Sequence, residues 1–414
     1  MKLNTILENC NSPIDIINCK NFTIKGICTH SKKVKNNYIF AAIKGKNLNG
    51  EKFISELLKY RNIVIIYSKS SKLKIEHNKF KNVVFIQAED VRFFFSEICL
   101  FFFPNRISQK LAITGTNGKT SISFYILQIW NKQNINGASI GTLGINYRKD
   151  IKLKSNLTTP DVIYNHKVLN ELTKSKCTKV IFEASSIGLD QRRLSPIKFD
   201  VIGFSNLSID HLDYHKSINS YKLAKSLLFT HHSKEDSYAV INTDSKFSDF
   251  FIDLCKKKKL RILDYGKKAN FLKIKKIERI KNFFEVKILF KSRIITLKID
   301  CCSEFEVYNM LCSLIMVFTT KLETKNFKII SELRNPSGRV EKIFDKKGMR
   351  VFVDYAHTPD AISEILKSLK KITENKLILV FGCGGDRDKS KRSLMTREAI
   401  KYSDIIIITD DNPR

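Results

Sequence analysis

The residues best suited to chemistry form a run of six, Gly115-Thr116-Asn117-Gly118-Lys119-Thr120, between the apolar stretch Lys110 to Thr114 and an amphipathic one opening at Ile122. Glycines let backbone N–H groups approach phosphate oxygens, and the amino end of a following helix adds partial positive charge. Lys119 can neutralise the β- and γ-phosphates and the Thr120 hydroxyl can ligate magnesium, so the run is a candidate nucleoside-triphosphate site. It departs from the general GxxxxGK[ST] spacing, because Ile113 stands five residues before Gly118 and the first glycine is Gly115. A second candidate is Glu183, which ends the apolar run Lys179 to Glu183. A carboxylate at the carboxyl end of a buried parallel strand points into the crevice where α/β sheets bind ligands.

Those positions require a strand, a loop and a helix in that order. The apolar face Ile122, Tyr125, Ile126, Ile129 and Trp130, spaced three and four apart, predicts the helix. Strands are predicted at Lys110–Thr114, Lys179–Glu183, Val201–Ser205 and Tyr238–Asn242, alternating with helical segments as a parallel α/β sheet demands. Phe284, Val286, Ile288 and Phe290 alternate, predicting antiparallel strands on the flank. Before this unit, Tyr38–Ile43 and Asn62–Tyr67 predict a smaller α/β domain ending at Pro104-Asn105. After Asn335-Pro336-Ser337, strands at Arg350–Asp354, Lys376–Phe381 and Ile405–Thr409 predict the start of another doubly wound unit. The expected domains are therefore 1–105, 106–334 and 335–414.

The composition narrows the class. A chain of 414 residues, 43% hydrophobic and 28% charged, is globular and longer than one core usually organises. The net charge of +32 raises nucleic acid as a partner, but lysines are spread through every segment and no recognition module accompanies them. The run Lys256 to Lys259 reads as a solvated helix end. Ten cysteines at irregular spacings give no disulfide or zinc pattern, and the amino terminus lacks the apolar core of a signal peptide. A cytoplasmic location is expected. Phe93 to Phe103, interrupted by Ser96 and Glu97, is far shorter than the ~20 residues that span a bilayer, and reads as a helix packed on its own domain.

Asn206-Leu207-Ser208-Ile209-Asp210-His211-Leu212-Asp213-Tyr214-His215 is the most specific stretch in the chain. With the compact GTNGKT loop, it resembles the Mur ligase family, and in particular the branch that adds meso-diaminopimelate to a UDP-muramoyl dipeptide. The resemblance implies three domains: a smaller α/β amino-terminal domain, a central P-loop ATPase with a parallel sheet, and an incomplete Rossmann-like carboxy-terminal domain. It implies ATP as co-substrate, held by Gly115, Thr116, Asn117, Gly118, Lys119, Thr120 and Ser121 with Arg339 and Asp354. Mg2+ would be held by Thr120, Glu183, His211 and Lys225. Lys225, in Ser220-Tyr221-Lys222-Leu223-Ala224-Lys225, matches the family lysine that CO2 converts to N6-carboxylysine; it joins Lys119 and His211 as the implied catalytic residues.

For the UDP-muramoyl dipeptide the resemblance implies Thr29, Ser31, Lys46, Asn47 and Leu48, and then Thr158, Thr159, Ser185, Gln191 and Arg193. For diaminopimelate it implies Arg387 and the closing Asp411-Asn412-Pro413-Arg414, whose arginines suit a carboxylate. Three departures stand out. His30 and Lys32 replace an Asp and an Arg of the family, and Ile187 stands where the family usually has histidine. The implied reaction is peptidoglycan-precursor synthesis by a monomer, through an acyl phosphate on the D-glutamate γ-carboxylate. Folylpolyglutamate synthase shares GTNGKT, but TTPD, DHLDYH and DNPR speak against it; a basic nucleic-acid-binding protein is a rival on charge alone. The chain stops directly after DNPR, where the family continues, so the sequence reading expects either a shortened chain or an impaired ligase.

Overall fold

The structure, a computed structural model, describes residues 1–45, 48–147, 157–280, 283–346, 348–384 and 390–411. By packing, the chain divides into two compact units. One comprises residues 1–107, 160–176 and 191–197, and the other 108–159, 177–190 and 198–414. Residues 160–176 and 191–197, which the sequence reading assigns to the central segment, thus cluster with the first unit.

In the first unit, α1 (Leu3–Leu7), β1 (Ile14–Ile17), β2 (Gly26–Cys28), β3 (Tyr38–Ala41), α2 (Ile54–Leu57), β4 (Ile63–Ser68), β5 (Val83–Ala88) and α3 (Val91–Phe102) follow one another. Their five strands are ordered β1-β5-β4-β3-β2, parallel except for β1. The aromatic run of α3 buries Phe94, Phe95, Ile98 and Cys99 against this sheet, as expected of a helix packed on its own domain. Asp90 starts it by accepting from the Phe93 N–H at 2.9 Å, satisfying one of the donors a helix start leaves open.

The second unit opens with β6 (Gln109–Thr114), α4 (Lys119–Lys132), β7 (Gly137–Gly141) and β8 (Gly144–Asn146). The chain then lends α5 (Val162–Lys174) to the first unit and returns through β9 (Lys179–Glu183), α6 (Ser186–Asp190), β10 (Phe199–Phe204), α7 (Leu212–His215) and α8 (Ile218–His231). It continues with β11 (Ser233–Asn242), α9 (Ser248–Lys257), β12 (Arg261–Gly266), β13 (Leu272–Ile280), β14 (Phe283–Phe290), β15 (Arg293–Ile299) and α10 (Glu304–Phe318). All ten strands form one sheet in the order β15-β14-β13-β12-β11-β10-β6-β9-β7-β8. The flank β13-β14-β15 is antiparallel, as the alternation of apolar residues requires. On α4, Ile122, Tyr125, Ile126, Ile129 and Trp130 are all buried, and Ser313 of α10 donates to the Ile122 carbonyl at 3.2 Å. Lys256 to Lys259 are exposed at the end of α9.

Beyond residue 335 come β16 (Glu341–Lys346), β17 (Met349–Val353), α11 (Pro359–Lys370), β18 (Ile378–Phe381), α12 (Ser390–Tyr402) and β19 (Ile405–Ile408). The three strands expected here are present as β17, β18 and β19, and only the pairing of the first departs from expectation. The strand expected at Arg350–Asp354 pairs antiparallel with β16 as a hairpin, while β18 and β19 form a separate parallel pair. Gly348, at φ 77°, turns the hairpin in a region where a side chain would be strained.

His166 of α5 gives this scaffold a titration signature. It is fully buried, its Nε2 lies 3.1 Å from the Ser195 carbonyl, and burial holds the imidazole at about 4, below its ordinary 6.5. Above pH 6.5 the neutral ring costs nothing; as pH falls toward 4 the unfolded chain binds a proton that the folded one refuses. Stability should therefore fall by roughly 3 kcal/mol across that window. Urea unfolding at pH 7 and pH 4.5 should show this loss in the natural chain and a smaller one in His166→Gln; equal losses would contradict the assignment.

Candidate functional site

The site follows from strand adjacency. β6 lies between β9 and β10, in register Ile113 with Glu183 and Thr114 with Phe204, so the segments leaving three neighbouring strands meet at one edge. The loop 115–118 is held from the β10 side. Thr116 N–H donates to the Asn206 carbonyl at 2.9 Å, Asn117 N–H to Asn206 Oδ1 at 2.9 Å, and Ser205 Oγ to the Asn117 carbonyl at 2.6 Å. Two glycines permit the close approach. A Cβ on Gly115, at φ 155°, would lie 1.9 Å from Ser205 Oγ, and one on Gly118, at φ 88°, would lie 2.5 Å from Asn309 Oδ1.

Positive charge converges on this loop. Lys119 Nζ donates to the carbonyls of Gly115 at 2.8 Å and Thr116 at 2.7 Å, and Lys225 Nζ, from α8, donates to the same Gly115 carbonyl at 2.8 Å. The two amines cannot be farther apart than twice that length. Burial lowers the pKa of Lys119, against the pull of Glu183 and Asp210. Lys225 is 1% exposed, and burial, then repulsion from Lys119, pushes its pKa well below the ordinary range. Its amine sits 4.4 Å from the Tyr221 ring centroid, and His211 meets the same ring edge-on at 6.3 Å. His211 is in a left-handed backbone conformation, φ 53°, ahead of α7. Burial holds its imidazole at about 4 despite Asp210 at 3.4 Å, leaving the neutral form that can act as a ligand.

Glu183 closes the other side. Its Oε2 accepts from Thr120 Oγ1 and from Thr142 Oγ1, both at 2.9 Å, and its Oε1 accepts from the Thr142 N–H at 3.0 Å. Two cis oxygens each ~2.1 Å from one magnesium lie ~3 Å apart, so the Thr120–Glu183 pair fits a small divalent cation. No three His, Cys, Asp or Glu side chains among the described residues converge as a metal site. The expected set instead draws on Thr120 and Lys225, and Lys225 becomes an anionic ligand only after its amine takes up CO2. A buried amine with a depressed pKa is the neutral nucleophile that this step needs.

Ser121 is half-buried in the first turn of α4. Arg339 Nη2 reaches Thr120 Oγ1 at 3.4 Å, and its guanidinium carbon lies 4.3 Å from the Tyr355 ring centroid. Asp354 accepts from the N–H groups of Val340 and Ala356, both at 2.8 Å. Thr158 and Thr142 hydroxyls are 3.0 Å apart, and Thr159 Oγ1 donates to the Glu183 carbonyl at 2.8 Å and lies 2.8 Å from Ser185 Oγ. In the first unit, Thr29 is exposed, Ser31 is half-buried and Leu48 is exposed. There too Arg193 Nη2 donates to Gln191 Oε1 at 2.8 Å. His30 Nδ1 accepts from the Lys32 N–H at 3.3 Å, capping the short turn Ser31–Lys33. Asp411 is exposed; Lys46, Asn47, Arg387, Asn412, Pro413 and Arg414 lie outside the described residues. Asn309, Thr142 and Gly141 also shape the site, and no sequence motif marks them. Asn309 lies on α10, far along the chain, with no local motif to mark it; Gly141 could have been flagged only by its pairing beside β9.

Residues 113–317 match the Mur ligase middle domain and residues 338–414 the Mur ligase glutamate ligase domain. The UDP-N-acetylmuramoyl-L-alanyl-D-glutamate--2,6-diaminopimelate ligase of Rickettsia prowazekii is 35% identical over 404 residues, covering 95% of this chain and 81% of the relative. The chain belongs to the Mur ligase family. A solved ligase of the same name superposes with a TM-score of 0.71 at 30% identity, covering 94% of this chain and 79% of that one. A Mycobacterium tuberculosis folylpolyglutamate synthase complexed with ADP reaches 0.60 at 15% identity over 75% of this chain and 76% of that one, a likeness of fold alone. The folylpolyglutamate and nucleic-acid rivals are not favoured.

In this Mur ligase the position of Glu183 depends on Gly141, where a Cβ would lie 2.1 Å from Glu183 Oε1. Gly141→Ala should displace the carboxylate and weaken the apparent affinity for divalent cation by about tenfold or more, the loss of one charged ligand contact. Titration of Mg2+ in a nucleotide-hydrolysis or binding assay, with circular dichroism to check the fold, measures this; an unchanged midpoint would contradict it.

Proposed function

We propose that the chain uses ATP to join meso-diaminopimelate to the D-glutamate γ-carboxylate of UDP-N-acetylmuramoyl-L-alanyl-D-glutamate, within peptidoglycan-precursor synthesis. One observation carries the chemistry: Lys119 and Lys225 converge on the Gly115 carbonyl, in the unit where Thr120 and Glu183 present a cation-sized oxygen pair. The substrates come from the ligase that is 35% identical over 95% of the chain.

The γ-carboxylate oxygen attacks the γ-phosphorus of ATP, ADP leaves, and the amine of diaminopimelate then attacks the acyl carbon. Inorganic phosphate departs and the amine proton passes to solvent or a base. Lys119 swings from its loop carbonyls to the phosphates, and the loop N–H groups face the same oxygens. Arg339 and Asp354 contribute to the nucleotide contacts, with Ser121 in the first turn of α4. Thr120 and Glu183 would hold one Mg2+, and His211 with carboxylated Lys225 a second; when bound, these ions offset charge building on the transferred phosphoryl group. Thr158, Thr159 and Ser185 in the second unit, and Thr29, Ser31, Lys46, Asn47, Leu48, Gln191 and Arg193 in the first, are proposed contacts to the UDP-muramoyl dipeptide. Arg387, Asp411, Asn412, Pro413 and Arg414 are proposed contacts to diaminopimelate.

The segments 1–105, 106–334 and 335–414 are proposed as the functional domains. A cytoplasmic monomer using small-molecule substrates is proposed; its ten cysteines are free, and no described helix is long and apolar enough to cross a membrane.

The test is ATP-dependent incorporation of labelled meso-diaminopimelate into the UDP-muramoyl dipeptide, with lysine and glutamate as competing acceptors. Diaminopimelate should be preferred. Lys119→Ala and Lys225→Ala should each lose at least about 10²–10³-fold in turnover. Acetate, supplying a free carboxylate, should restore part of the activity to Lys225→Ala and none to Lys119→Ala. Near-normal turnover in either variant, or preference for glutamate, would overturn the reading.

A further inference from the structure

The Thr120 hydroxyl serves two partners. It donates its proton to Glu183 Oε2 at 2.9 Å and accepts from Arg339 Nη2 at 3.4 Å. A hydroxyl oxygen has two lone pairs, so the arginine N–H leaves one for a metal ion but sets a positive charge beside it. Arg339 carries its positive charge to the side of the pair where a divalent cation would be held, and it is buried there with Asp354 and Glu183 as its anionic neighbours. The guanidinium is not a loose surface group, because it lies over the Tyr355 ring at 4.3 Å.

The backbone that delivers it is also unusual. Gly338 and Val340, on either side of Arg339, both have positive φ, 68° and 49°. For a β-branched residue that region is strained, and such strain persists only where the surroundings over-determine it. Here they do: Val340 is 4% exposed in the apolar cluster of α11 and α12, and its N–H is bonded to Asp354 Oδ2 at 2.8 Å.

We propose that Arg339 and a divalent cation are mutually exclusive partners of the Thr120–Glu183 pair, so that the guanidinium is a placeholder which the arriving metal displaces. A guanidinium and a divalent cation on the same hydroxyl–carboxylate pair repel one another at contact distance, and Asp354, the other acid beside Arg339, gives the displaced guanidinium an alternative anionic neighbour. The displaced Arg339 is then free to meet the triphosphate, whose added negative charge allows both cations to remain in the site. The inference rests on the proposed role of Thr120 and Glu183 as metal ligands.

The test measures binding, not turnover: free Mn2+ counted by electron paramagnetic resonance in titrations of the full chain without nucleotide. Arg339→Met should bind Mn2+ about tenfold or more tightly than the natural chain, because a like charge next to the site is gone. Arg339→Lys, which keeps the charge, should gain less. Tyr355→Leu, which removes only the stacking partner, should shift affinity in the same direction and provides the comparison if Arg339→Met does not fold. Affinity in the folded Arg339 and Tyr355 variants equal to or below that of the natural chain would overturn the placeholder. The underlying metal assignment fails separately: Glu183→Gln would then leave Mn2+ affinity unchanged.

Discussion

Two lysine amines share one carbonyl oxygen, and the rest of the site can be understood as what makes that arrangement tolerable. Lys119 and Lys225 both donate to the Gly115 carbonyl, and burial and mutual repulsion depress the pKa of Lys225. Burying like charges together is costly unless an anion joins them. Asp210 and Glu183 supply part of that negative charge at the site; a triphosphate and a carbamate on Lys225 would supply the rest. The loop can offer the Gly115 carbonyl only because Gly115 has no side chain to strike Ser205, and because Ser205 and Asn206 hold Asn117 in place. The parallel register of β9, β6 and β10 then fixes where acid, loop and imidazole emerge.

Much of this was legible in the residues because the signals are local. The GTNGKT run sits between a strand and a helix whose apolar spacing is unmistakable, and the structure places β6 and α4 there, burying the same five side chains. The alternation over β14 likewise reports its partly covered faces. What was not legible depends on tertiary pairing. Asn309 reaches Gly118 only because α10 packs on α4, and Gly141 matters only because β7 lies beside β9, so that its missing side chain leaves room for Glu183. The hairpin of β16 and β17 was read as a strand of the parallel unit because apolar spacing does not distinguish a strand's neighbour; Gly348 was the available turn signal.

The departures from the family pattern differ in consequence. His30 replaces an acid, yet its ring nitrogen still accepts from the Lys32 N–H, so the cap of that turn survives the change in charge. Lys32 is exposed and offers a point charge where the family offers a planar fork. Around the nucleotide loop the hydrogen-bond network is dense and largely buried. The chain spans about 81% of the Rickettsia prowazekii relative, and the segments that carry the phosphate loop, the acid and both lysines all fall inside the shared part.

Phosphoryl transfer to a carboxylate at this edge of the sheet, ahead of attack by the amine, would leave an isotopic trace. The most direct measurement is to supply UDP-muramoyl dipeptide with 18O in the D-glutamate γ-carboxylate and analyse the inorganic phosphate released during ligation. Transfer of one 18O atom to each phosphate is the predicted result. Product formation with unlabelled phosphate would show that no acyl phosphate forms and would contradict the account.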